Sequence, residues 1–195
     1  LSAADYHTAW VNTRALELAR LDEGVVDPPL GQIVRRADGS PSGMLVEWGA
    51  IELVARLIPP PDPRERERGL DAAMRHFVRN GLVWAQDAAV SVDDAATYQA
   101  AAQGGSLPVR INLAWRAEPD SWRAQVAEFS GARRGIDADP ACAGRLSAHT
   151  VKFFADGVIE QGTGYVLEPY EVEPHDCGLP NWKPDELAEA VAAAA

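Results

Sequence analysis

The chain has 195 residues and 21.0 kDa, and its 47 % hydrophobic and 24 % charged content is that of a globular protein, not of a disordered, fibrous or repeat-built one. A formal net charge of -11 with scattered arginines would repel a phosphate backbone, so nucleic acid is not expected as a partner. No apolar run approaches the ~20 residues needed to span a bilayer and no leader-type segment opens the chain, so the expectation is no membrane association and a cytoplasmic location.

In chain order, the first element predicted is a helix over Thr13–Leu21, capped by Thr13 and preceded by a loop that holds Tyr6, His7 and Asn12. GQIVRRADGSPSGMLVE reads as a hairpin turning at Asp38-Gly39. Apolar residues at helical spacing from Met44 to Leu57 predict a second helix, ended by the PPPDP run. Asp62 or Pro63 then opens the strongest helix of the chain, Arg64–Asn80, with Leu70, Ala73, Met74, Phe77 and Val78 on one face and Gly81 as its stop.

From there the pattern alternates. GLVWAQDA is a strand, Val92–Gly104 a helix, Leu107–Trp115 a strand, Asp120–Phe129 a helix, His149–Gly157 a third strand, and Pro184–Ala195 a final helix. Strand and helix in alternation, with nearly continuous apolar strands, is the signature of parallel βα units. Three units do not close a barrel, which needs eight, and neither GxGxxG nor GxxxxGK[ST] supports nucleotide binding. The chain starts Leu-Ser-Ala and stops in AVAAAA within a helical pattern, so both ends read as cut.

In parallel α/β folds the functional residues gather at the carboxyl ends of strands, which singles out Asp87, Trp115, Arg116, Lys152 and Asp156. His76 reads as a surface residue of the long helix, His149 lies at the amino end of its strand, and His175 sits in an exposed loop. His7 belongs to the polar and aromatic segment ADYHTAWVN, where local propensity gives it no structural duty. Cys142 and Cys177 are far apart without a metal-type spacing and read as reduced thiols, and HxH, HExxH and GxSxG are absent.

Lys152 is the residue that needs a reason. Alternation in VKFF places it and Phe154 on one face, with Val151 and Phe153 on the other. An ammonium facing an interior loses hydration at a cost of several kcal/mol. Three readings remain open: an amine for Schiff-base or general-base chemistry, an amine carboxylated by carbon dioxide into an anionic metal ligand, or an edge lysine that reaches water.

The strings ADYHTAWVNTRALELARL, GQIVRRADGSPSGMLVE, RLIPPPDPRERERGLDAAMRHFVRNGLVWAQDA, VKFFADGVIEQGTGYVLEPY and GLPNWKPDELAEAV, in that order, resemble the middle of metal-dependent amidohydrolases of the amidohydrolase 3 branch, similar to N-substituted formamide deformylases. The resemblance implies an α/β fold that is part of a (β/α)8 TIM barrel, with the three strands as barrel strands two to four, and residues 61–195 as the barrel portion. Residues 1–60 would be an inserted hairpin and helical segment covering the barrel mouth. It implies hydrolysis of amide-type C–N bonds of a small molecule by metal-activated water, with zinc as the expected divalent metal and Lys152 as a carboxylated bridging ligand. Tyr6, His7, Asn12 and Asp156 become substrate-pocket candidates, Asp156 also as a residue that orients the loop after the strand.

No other ligand of such a site has a match here, and a catalytic metal needs at least three protein ligands, so these 195 residues alone are expected to be inactive. A non-catalytic binding domain on the barrel scaffold and a Schiff-base lyase using Lys152 are the rival readings. Strand edges left open by missing units make self-association, including a homo-oligomer, an expectation as well.

Overall fold

The computed structural model describes residues 1–171 and 176–195. His175, expected to be an exposed loop residue, lies outside the described residues. Contacts divide the chain into two compact units, one of Leu1–Pro60 with Ala155–Lys183 and one of Pro61–Phe154 with Pro184–Ala195. Residues 155–183, placed with the barrel portion by sequence, thus group with the first sixty. Among the described residues no helix is long and apolar enough to cross a membrane.

The first unit is built on β1 (Thr8–Trp10), α1 (Thr13–Ala19), β2 (Gln32–Arg35), β3 (Pro41–Val46) and α2 (Glu47–Ala55). β3 is the central strand and runs antiparallel to both neighbours, in the order β1-β3-β2. The hairpin turns where expected: Gly39 takes a φ of 87°, and the Asp38 carboxylate accepts from the Ser40 N–H at 2.9 Å. Ile33 and Leu45 point inward and bury with Ala19, Leu21 and Ala50 of the flanking segments.

Three expectations change here. Thr8–Trp10 is a strand and not a loop, because Ala9 can bury opposite Leu45 in the pairing with β3. The cap of α1 is Asn12, whose side chain accepts from the Ala15 N–H at 2.9 Å, and Thr13 is the first helical residue. Met44–Val46 finish β3 and do not open a helix, since β1 and β2 both pair with them and bury Leu45 completely. Helical spacing in MLVEW was coincidental, and strand pairing overrode it.

The second unit contains α3 (Pro63–Arg79), β4 (Trp84–Val90), α4 (Val92–Gln103), β5 (Arg110–Ala117), α5 (Trp122–Asp137), β6 (Leu146–Phe153) and α6 (Pro184–Ala194). The strands form a parallel sheet in the order β4-β5-β6, and these three strands do not close a barrel. α3 starts on a reciprocal capping box between Asp62 and Glu65, with Pro63 in its first turn, and α4 starts on another between Ser91 and Asp94.

Odd-numbered residues of β5 (Ile111, Leu113, Trp115, Ala117) meet Leu146, Ala148, Val151 and Phe153 of β6 and the helix residues Met74, Phe129 and Ile136 in one core. Full burial of each large side chain is worth about 1.5–3 kcal/mol. The Trp115 ring also stacks on Phe129 with centroids 5.2 Å apart, and its indole N–H donates to the Ala148 carbonyl at 2.8 Å.

Two boundaries move. α5 runs eight residues past Phe129 because Gly131 and Gly135 are tolerated inside it while Phe129 and Ile136 bury on one face. β6 begins at Leu146, paired with Ile111, and ends at Phe153. Beyond it the chain belongs to the first unit: the Ala155 carbonyl accepts from Asn181 N–H at 2.9 Å and the Asp156 carboxylate from Tyr165 N–H at 2.9 Å.

Candidate functional site

Across the parallel sheet from its apolar core lies a row of polar side chains. Asn112 in β5 is its centre: its amide donates to Gln86 Oε1 and to Thr150 Oγ1, both at 3.0 Å, and its carbonyl oxygen accepts from Ser147 at 2.9 Å. Towards the carboxyl ends of the strands the same face continues with Arg116 and Lys152, which are direct partners in the β5–β6 register. Lys152 is half-buried, and its Nζ sits 4.6 Å from the centre of the Phe154 ring. The Arg116 guanidinium lies 5.3 Å from the same ring and pairs through Nε with Glu118 Oε1 at 2.5 Å. The expected alternation therefore holds: Val151 and Phe153 pack into the core while Lys152 and Phe154 meet on the other side.

The other strand-end candidates face elsewhere. Asp87 accepts from the Tyr98 hydroxyl of α4 at 2.9 Å, on the helix side of the sheet. Burial, and then the Asp87 carboxylate, push the Tyr98 phenol above its ordinary value. Trp115 is a core residue. In the first unit, Asp156 organises the loop that follows β6 through the Tyr165 N–H, and Asn181 Nδ2 donates to its main-chain carbonyl at 3.3 Å. Tyr6 is exposed with a φ of 62°, and Asn12 is occupied with capping. His76 is exposed on α3, and His149 is exposed beside Asp137 at 3.1 Å.

His7 does not stand alone. Its Nδ1 is 2.8 Å from Glu47 Oε2, with the two side chains only 15 % and 8 % exposed, and the Glu47 N–H donates to the His7 carbonyl at 2.8 Å. The other carboxylate oxygen of Glu47 accepts from the Thr163 hydroxyl, and Thr163 in turn accepts from the Val158 N–H at 2.9 Å. A carboxylate can only accept, so the proton shared with His7 sits on Nδ1, which donates to Glu47. Glu47 holds this position with a φ of 64°, in the left-handed region that costs an L-residue roughly 1–2 kcal/mol. Gly157 makes room for it, since a Cβ there would lie 2.2 Å from Thr163 Oγ1 and 2.7 Å from Glu47 Oε1.

Sequence reasoning named His7 and missed its partner Glu47 and the Thr163 that bonds Glu47 in turn. EWGAIELVA reads as the start of an ordinary helix, and Thr163 is 116 residues further along the chain. An acidic residue placed directly after the apolar end of a strand was the one local sign.

The sequence pattern of the Amidohydrolase family matches residues 1–195, the whole chain. The chain belongs to that family. Among relatives of this amidohydrolase chain is Putative amidohydrolase YtcJ of Bacillus subtilis (strain 168), 31 % identical over 180 residues that make up 89 % of this chain and 31 % of that protein. Two crystal structures of uncharacterized metal-dependent hydrolases share its fold. The one from Pyrococcus furiosus has a TM-score of 0.63 at 18 % identity, covering 97 % of this chain and 36 % of its own. The one from Pyrococcus horikoshii OT3 has a TM-score of 0.65 at 17 % identity, covering 97 % and 35 %. The chain thus spans about a third of the length of the relatives it matches.

Metal dependence in those relatives asks whether the side chains here could hold a metal. Among the described residues no three His, Cys, Asp or Glu side chains come together as a metal would require. The polar face that carries Lys152 adds amides, hydroxyls and a guanidinium, none of them a strong ligand set. These residues do not make a metal centre by themselves.

Proposed function

We propose that this chain is part of a metal-dependent hydrolase of C–N bonds, of the amide or N-substituted formamide type, and that Lys152 as a carbamate is its contribution to a zinc site completed by residues beyond these 195. The single observation that carries the reading is the place of Lys152: the carboxyl end of a parallel strand, on the polar face and not in the core, in a chain of the Amidohydrolase family. On this reading β4, β5 and β6 are the second to fourth strands of a (β/α)8 barrel and their polar face lines its interior. The substrate is a small amide.

The chemistry available to this chain's own residue is explicit. The neutral amine of Lys152 attacks the carbon of carbon dioxide, an N–C bond forms, one C=O electron pair moves to oxygen, and a proton leaves to solvent. With the proton that the ammonium first gives up to become this amine, two protons leave in all, and a cationic side chain becomes an anionic oxygen donor. The Gln86, Asn112, Ser147 and Thr150 network holds the neighbouring strands in register beneath it.

The test uses the complete gene product that carries these residues, assayed for amine release from a panel of N-substituted formamides and simple amides before and after chelation. Release that falls on chelation and returns with zinc is the expected result. Release indifferent to chelation, or no release together with borohydride trapping of a carbonyl compound on Lys152, would replace the hydrolase with a lyase.

A further inference from the structure

We draw no further inference here: the strongest candidate, the nearly buried His7–Glu47–Thr163 side-chain cluster between the start of β1 and the first turn of α2, carries nothing because nothing in the structure shows what it would act on.

Discussion

Glu47 gives the sharpest stability prediction. In Glu47→Ala the Thr163 hydroxyl and the His7 Nδ1–H both lose their acceptor in a nearly dry place, where the carboxylate was 8 % exposed. An unsatisfied buried group costs about 1–3 kcal/mol. Thr163 can fall back on the Val158 carbonyl at 3.3 Å and His7 keeps 15 % of its side chain in water, so each loss belongs at the low end. The sum is about 2–4 kcal/mol. Glu47→Gly removes the same groups but relieves the left-handed φ of 64°, and should recover about 1 kcal/mol relative to Ala. Native-state hydrogen exchange is the assay, read at the Val11 amide, which bonds to the Gly43 carbonyl at 2.8 Å, and at the amides of β3. Exchange should accelerate by about 30- to 1,000-fold in Glu47→Ala at 1.36 kcal/mol per decade, and about fivefold less in Glu47→Gly. Acceleration under about threefold in the alanine variant, or a glycine variant worse than alanine, would refute the reasoning.

Three further outcomes are expected. Gly135→Ala should stabilise the protein by about 0.5–1 kcal/mol, because the glycine lies inside α5 with nothing within 4 Å of a new Cβ; an unchanged or lower urea midpoint would contradict this. The Asp139 carboxyl, held below its ordinary value chiefly by the Gln99 amide and then by Gln103, should titrate below the usual carboxylate range by NMR and move back up in a Gln99→Ala, Gln103→Ala variant. Its folded value is depressed, so its stabilising contribution is present above the unfolded value and disappears as pH falls through the folded one. Burial pushes the Cys142 thiol up, and the residue is 1 % exposed, so a disulfide reagent should modify the half-buried Cys177 well before Cys142; equal rates would be the contrary result.

Periodicity carried most of the second unit. The apolar face of α3, the three strands of continuous apolar character and the alternation at Lys152 are all local patterns, and each reappears in the fold. What local pattern could not reach was decided by distant partners. Met44–Val46 had helical spacing and became a strand because β1 and β2 flank it on both sides. The pattern read from the sequence ended α5 at Phe129, whereas burial of Ile136 kept the helix going. The candidate site divides in the same way. Arg116 and Lys152 follow from strand position alone, but Glu47 owes its place to a left-handed backbone turn and to Thr163, with an acidic residue after the apolar end of a strand as its one local sign. Asn12, a pocket candidate by resemblance, is also the cap of α1, a place the sequence pattern assigned to its neighbour Thr13.

The central claim is that Lys152 is a metal-site residue of an amidohydrolase. Elemental analysis of the complete gene product beside its Lys152→Ala and Lys152→Arg variants tests it most directly. The account predicts about one or two equivalents of zinc in the wild type and loss of most of it in both variants, with native circular dichroism retained. Full metal content in a folded Lys152→Ala protein, or a wild type that takes up none when zinc is supplied, would contradict it.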